Sequence, residues 1–160
     1  RNLLTSGRQP PWWDGKNLFR LGGSRGGLRA YRAMKESAPL TAVAVGAGIT
    51  DMADMLARQS DMEDLCQRRI PSFTTTREAA IRQRSAVQWP ESLYAPLLIM
   101  HGDADDRVHV NEPRTLAAKL QTLGREVRYV EYPGGDHVLR KQWKQWVQET
   151  VDWFEAHRQR

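Results

Sequence analysis

The sequence predicts an α/β fold: a mostly parallel sheet of about four strands flanked by helices. Residues 40–46 and 95–100 are nearly continuous apolar runs, which is typical of strands buried on both faces. Such strands belong to parallel sheets that are covered by helices. Strand-like and helix-like segments also alternate along the chain with short connections. The length of 160 residues suits one domain with a sizeable core.

The elements can be assigned in order from the hydrophobic pattern. A short strand at residues 17–21 is followed by a helix at about 27–36 and by the strand at 40–46. The elements expected after the second apolar run are a helix beginning at Pro113 and ending before Gly124, a strand at 127–132 and a helix at about 139–157. On the last helix, an apolar stripe is predicted to pack against the sheet; it comprises Leu139, Trp143, Trp146, Val147, Val151 and Phe154.

Two further segments have a different character. Residues 1–16 contain Pro-Pro-Trp-Trp and show no periodicity, so we expect an irregular arm ahead of a domain at 17–160. Residues 50–90 predict short helices with a methionine-rich apolar face. These helices could simply connect and cover the sheet, or they could form a cap with an adaptable pocket wall, because methionine fits irregular shapes.

Composition narrows the partners and the compartment. The net charge is +5, but the arginines are interleaved with acids, which indicates solvated faces and no nucleic-acid partner. No apolar run approaches the roughly 18 residues of a membrane span, so no membrane association is expected. Cys66 is the single cysteine; it excludes an intramolecular disulfide and fits a cytoplasmic location.

A glycine-rich stretch carries the first chemical signal. Gly22, Ser24 and Gly26 form G-x-S-x-G between a predicted strand and a predicted helix, the context of a nucleophile elbow. The sharp turn lifts the serine hydroxyl above the sheet. The residues two before and two after the serine are expected to lack bulk because strand and helix pass close together there.

Two later loops supply a base and an acid in the order that such a serine requires. Ser24, Asp105 and His137 each lie just beyond a predicted strand, so all three loops should open on one edge of a parallel sheet. An imidazole can take the serine proton, and a carboxylate can fix its tautomer. Asp103 and Asp106 are rival acids in the same loop.

The same loop region also raises the question of a metal site. It contains His101, Asp103, Asp105, Asp106 and His109. An EF-hand starting at Asp103 would need an acid or amide and then a glycine where Arg107 and Val108 stand, and H-E-x-x-H is missing. We expect no metal and no cofactor, and a structural role for His101 within its loop.

Residues 17–157 resemble the carboxyl-terminal half of a hydrolase domain of the prolyl oligopeptidase family. The matching blocks are G-G-S-R-G-G, A-P-L-L-I-M-H-G-D-A-D-D-R-V and Y-P-G-G-D-H. The resemblance implies a partial α/β-hydrolase fold, with Ser24 as nucleophile, His137 as base and Asp105 as acid, four residues after the histidine of its block. It implies hydrolysis of peptides or esters through an acyl-enzyme.

The resemblance is incomplete ahead of the elbow. Such a domain usually has four strands there, and about 16 residues cannot supply them. Only the backbone N–H of Arg25 is identifiable as an oxyanion donor. The alternative is therefore a weakly active or non-catalytic hydrolase fold that serves as an interaction module or needs a complementing chain. Residues 17–21 would form a sheet edge, covered by the arm or by a second copy in a homodimer.

Overall fold

A four-stranded parallel sheet forms the centre of the protein in a computed structural model, which describes residue 13 and residues 15–160. The strands are β1 (Phe19–Gly23), β2 (Ala42–Gly46), β3 (Leu97–Gly102) and β4 (Val127–Tyr132). They lie in the spatial order β1-β2-β3-β4, and every pairing is parallel. The predicted α/β class and the predicted strand number are confirmed.

Helices connect these strands and cover both faces of the sheet. They are α1 (Arg25–Lys35), α2 (Met52–Arg58), α3 (Asp61–Arg69), α4 (Phe73–Arg84), α5 (Asn111–Thr122) and α6 (Trp143–Ala156). Two short 3-10 turns, Ala86–Gln88 and Pro90–Ser92, lead from α4 towards β3. In the described part of the chain, no helix has the length and apolar character needed to cross a membrane.

The alternation of side chains along β2 and β3 separates two cores. Val43, Val45, Leu97 and Ile99 pack with apolar residues of α1 and α5 on one face. The neighbouring strand residues pack with α6 on the opposite face; they are Ala42, Ala44, Leu98 and Met100. Both strands are buried along their whole length, which explains why they read as continuous apolar runs.

Helices α2 to α4 build a third cluster beyond the carboxyl ends of the strands. Its buried members include Met52, Met55, Met62 and Phe73, and Val108 joins it from the loop after β3. The methionine-rich face predicted for residues 50–90 therefore packs within this segment. The segment lies beside the elbow and forms one wall of a cavity there.

Helix α6 is shorter than predicted, and its apolar stripe is only partly buried. Leu139 has a φ of 53° and lies in the preceding loop, because a left-handed residue cannot continue a right-handed helix. Leu139, Trp146 and Phe154 pack on the sheet as expected. Trp143, Val147 and Val151 are exposed instead; spaced at four-residue intervals, they form a neighbouring row on the helix surface.

Strand β1 pairs with β2 and with no other strand of the described chain, so it is an edge of the sheet. It begins at Phe19, two residues later than predicted, although Leu18 and Thr41 still exchange hydrogen bonds ahead of the ladder. The predicted arm at residues 1–16 falls mostly on residues 1–12 and 14, outside the described residues. Trp13 is described, and its indole N–H donates to the backbone oxygen of Asn17 at 2.8 Å.

Candidate active site

The turn between β1 and α1 holds Ser24 in a strained backbone conformation. Its φ is 51° and its ψ is −120°, a region that costs a non-glycine residue about 1–3 kcal/mol. Two backbone hydrogen bonds hold the turn. The Ser24 N–H donates to the carbonyl oxygen of Gly46 at 3.0 Å, and the Gly27 N–H donates to the carbonyl oxygen of Ser24 at 2.9 Å. The strain lifts the serine side chain clear of the strand, as the elbow motif predicts.

The glycines of the elbow differ in what they permit. A Cβ at Gly22 would lie 2.5 Å from the backbone oxygen of Gly26, so strand and helix do pass close together there. A Cβ at Gly26 would meet nothing within 4 Å. The expectation that both positions must lack bulk is therefore right for Gly22 and wrong for Gly26, because the close contact is made by the Gly26 backbone.

The structure brings Ser24, His137 and Asp105 into one hydrogen-bonded relay. His137 Nε2 lies 3.0 Å from Ser24 Oγ, and His137 Nδ1 lies 3.0 and 2.9 Å from the two carboxylate oxygens of Asp105. An ionised carboxylate only accepts hydrogen bonds, so Nδ1 carries the proton in the neutral ring. Nε2 is then free to accept from the serine hydroxyl.

Asp105 is held as a carboxylate by its surroundings. Burial alone would raise its pKa, but hydrogen bonds from His101, His137 and the backbone N–H groups of Val108 and Arg107 hold that pKa well below its usual value. Both backbone groups donate to the same oxygen, Oδ1, at 3.0 and 2.8 Å. A carboxylate at this position would stabilise an imidazolium if the His137 ring accepted a proton.

His101 is a second histidine on the same carboxylate. It is fully buried at the end of β3, and its Nε2 lies 3.1 Å from Asp105 Oδ2 and 2.8 Å from the carbonyl oxygen of Val108. A carbonyl accepts only from an N–H, so Nε2 carries the proton and is shared between the two oxygens. His101 therefore helps to orient Asp105 through Oδ2, the oxygen that His137 also contacts, and it supports its loop as expected.

Two glycines allow the acid loop to approach the histidine loop. A Cβ at Gly102 would lie 2.1 Å from the backbone oxygen of Gly135, so neither loop could come this close with a side chain there. The Ala104 N–H donates to the same Gly135 oxygen at 3.1 Å. The contact fixes the spacing between the loops that carry Asp105 and His137.

The rival acids stand outside the relay. Asp103 is exposed, and its Oδ1 accepts from the backbone N–H of Gly134 at 2.6 Å. Asp106 is also exposed and makes no hydrogen bond to His137. Across residue 13 and residues 15–160, no group of three or more histidine, cysteine or acidic side chains is arranged to hold a metal ion.

Arg25 is the first residue of α1. The first N–H groups of a helix have no intrahelical acceptor, and the positive end of the helix dipole lies there. The Arg25 N–H therefore adjoins Ser24 with its hydrogen-bonding capacity available to a negatively charged oxygen.

A cavity of about 870 Å³ opens on the Arg25 side of Ser24. Its walls are the elbow, one face of α1 and the segment containing α2 to α4. The residues that line it are strongly biased towards arginine and apolar side chains.

A protein-family model described as "Prolyl oligopeptidase family" matches residues 6–160. The chain belongs to the prolyl oligopeptidase family. The chain is also similar to a curated protein, the uncharacterized peptidase YuxL of Bacillus subtilis (strain 168), with 33% identity over 58 residues. That match covers 36% of this chain and 9% of the relative.

Solved structures share the fold of this prolyl oligopeptidase family chain. A puromycin-hydrolyzing peptidase of Mycobacterium tuberculosis matches with a TM-score of 0.74 and 22% identity, over 94% of this chain and 22% of its own. The acylaminoacyl peptidase of Pyrococcus horikoshii matches with a TM-score of 0.75 and 22% identity, over 89% of this chain and 24% of its own. The chain thus spans about a quarter or less of the length of these relatives.

The sequence by itself does not predict two features of the candidate site. The contact of His101 with Asp105 was missed, although the histidine stands four residues before the acid in the H-G-D-A-D block. For the arginines that line the cavity, the sequence predicts only solvated charge. The helical spacing of Arg25, Arg29 and Arg32 shows that they share one face of α1. Nothing in the sequence indicates that Arg69 of α3 and Arg84 of α4 lie near that face.

Proposed function

We propose that this chain carries the catalytic triad of a prolyl oligopeptidase-type serine hydrolase, which cleaves peptide or ester bonds through an acyl-enzyme. The observation that supports it best is the continuous relay from Ser24 Oγ through the His137 ring to the Asp105 carboxylate. The strain at Ser24 and the ionised state of Asp105 support the same assignment.

The proposed reaction starts at Ser24. Its Oγ forms a bond to the scissile carbonyl carbon while its proton moves to His137 Nε2, and the carbonyl electron pair moves onto oxygen. The Arg25 N–H faces that oxyanion. When the pair returns, the bond to the leaving group breaks and Nε2 gives its proton to that group. Water then repeats the sequence on the acyl-enzyme, which releases the acid product and restores the serine.

The second candidate is a fold whose relay needs another polypeptide to become active. The outer edge of β1, which leads into the elbow and pairs with no strand of the described residues, favours it. One oxyanion donor is assigned here, and removal of a donor slows such enzymes by about a hundred- to a thousandfold. Under this candidate, the chain folds with its relay intact but turns over slowly.

Labelling with an active-site-directed fluorophosphonate tests the proposal. We expect covalent labelling of Ser24 in the intact chain and none in Ser24→Ala; His137→Ala should slow it by orders of magnitude. Ser60→Ala is the matched control, because Ser60 is exposed and lies outside the relay. Labelling without measurable ester turnover would favour the second candidate. Absence of labelling in a folded chain would refute the first.

A further inference from the structure

The cavity beside Ser24 lies on one side of the relay. It is lined by the elbow residues from Gly23 to Gly26, whereas His137 and Asp105 do not line it. In the proposed reaction His137 delivers a proton to the leaving group, so the leaving group occupies the His137 side. The cavity on the opposite side is therefore placed to receive the acyl part of the substrate.

The cavity wall has a single sign of charge. Among residue 13 and residues 15–160, no aspartate or glutamate lines it. The charged residues that do line it are Arg25, Arg29, Arg32, Arg69 and Arg84. The first three share one face of α1, and the other two stand at the ends of α3 and α4, so three helices point positive charge at one space.

These charges are poorly compensated within the protein. In the part of the chain that the structure describes, Arg25, Arg29 and Arg69 make no ion pair and no side-chain hydrogen bond. Arg32 pairs with Glu36, which lies outside the cavity. Arg25, Arg29 and Arg69 are exposed and line the cavity, so their guanidinium groups are available to a ligand.

Arg84 shows the effect of this concentration of charge. Its Nη1 donates to the backbone oxygen of Ala80 at 3.0 Å, and within the described part of the chain it forms no ion pair. Burial and the positive charge of Arg32 lower the pKa of Arg84 below its usual value. An anion in the cavity would relieve this repulsion.

Apart from Ser24 and the elbow glycines, the remaining lining residues are apolar, and they strengthen the field of the arginines. Ile49, Met52 and Met62 are buried in the cavity wall. Low-dielectric walls focus the field of like charges within a cleft. A guanidinium offers a planar pair of donors that matches a carboxylate. The cavity thus combines an apolar wall with carboxylate-binding groups.

We propose that the cavity binds an acidic acyl group, so that the preferred substrates carry a carboxylate on the residue that supplies the scissile carbonyl or on the residue before it. This assignment rests on the proposed hydrolase function for its orientation. It defines the substrate class as acidic peptides or their ester analogues.

Binding to Ser24→Ala tests the assignment without turnover. Two pairs of peptides labelled with an uncharged dye differ only in Glu against Gln, at the residue before the scissile bond or one residue earlier. In at least one pair, we expect the Glu peptide to bind about tenfold more tightly by fluorescence anisotropy, as for a charge-assisted hydrogen bond. The preference should shrink as the salt concentration rises.

Arginine variants then locate the site. The preference for Glu should disappear in Arg29→Gln/Arg69→Gln made in the Ser24→Ala background. Arg68→Gln is the matched control, because Arg68 is exposed on α3 next to Arg69 but does not line the cavity. Circular dichroism confirms that each variant is folded.

The outcomes separate the two proposals. Equal binding of Glu and Gln peptides in both pairs overturns the cavity assignment, as does an equal loss of preference in Arg68→Gln. If Ser24 still reacts with fluorophosphonate in the intact chain, the hydrolase proposal survives that result. A preference for Glu in a chain that fluorophosphonate does not label retains the acidic site and overturns the hydrolase.

Discussion

Replacement of Asp105 by asparagine tests how the relay controls the tautomer of His137. The change removes one negative charge and keeps the shape of the side chain. In the native protein both carboxylate oxygens lie within 3.0 Å of His137 Nδ1, which donates its proton to them. Asparagine presents one acceptor and one donor in their place.

The neighbouring backbone decides which way the new amide points. The N–H groups of Arg107 and Val108 both donate to Oδ1 of Asp105, so that position must remain an oxygen. The amide NH₂ then takes the place of Oδ2 and faces His137 Nδ1 and the N–H of His101. His137 must accept from the amide at Nδ1, and its proton moves to Nε2.

An imidazole with its proton on Nε2 cannot accept the Ser24 proton. We therefore expect Asp105→Asn to reduce kcat by about ten-thousandfold, as in serine hydrolases with the wrong tautomer. That factor corresponds to about 5.5 kcal/mol in activation free energy. Steady-state hydrolysis of a p-nitrophenyl ester measures it, and the rate of fluorophosphonate labelling gives an independent value.

Asp103→Asn and Asp106→Asn are the matched controls in the same loop. Neither side chain contacts His137, so each should change kcat by far less. If folded Asp105→Asn keeps kcat within about tenfold of the native chain, the tautomer reasoning is refuted. A larger loss in Asp103→Asn or Asp106→Asn would reassign the acid.

Three further predictions concern stability, loop spacing and assembly. Burial raises the pKa of Glu112 to about 7, so the folded state holds the Glu112 proton more tightly than the unfolded state does. The free energy of unfolding should therefore fall by up to about 3 kcal/mol as the pH rises from about 4.5 to 7. Urea denaturation measures this fall, and Glu112→Gln should remove it. Gly102→Ala should reduce the free energy of unfolding by about 1–3 kcal/mol and slow Ser24 labelling, because its Cβ would collide with the Gly135 backbone. Gly26→Ala is the control and should leave the melting temperature nearly unchanged. A Gly102→Ala variant with native stability and labelling rate would contradict the close contact. We also predict that the β1 edge is covered, either by a second copy that pairs with it antiparallel about a two-fold axis or by the arm. Light scattering over a dilution series tests for the dimer. A strict monomer with fast amide exchange along residues 18–21 would contradict both alternatives.

The sequence by itself determined the order and type of the main elements and nominated the three relay residues. Buried parallel strands are recognisable because continuous apolar runs such as those in β2 and β3 are required wherever helices cover both faces. The elbow is recognisable because its strain and its close contact at Gly22 are local to a few residues. Ser24, Asp105 and His137 could be grouped because parallel strands end at the same edge of a sheet.

Only the tertiary structure decided how these parts meet. Whether Trp143, Val147 and Val151 of α6 face the sheet or solvent depends on the rotation of the helix, which a stripe this wide leaves open. The low pKa of Asp105 depends on donors from His101 and His137, which converge only when the loops dock. The arginines of the cavity come from three helices, and their charges act together because folding brings those helices around one space.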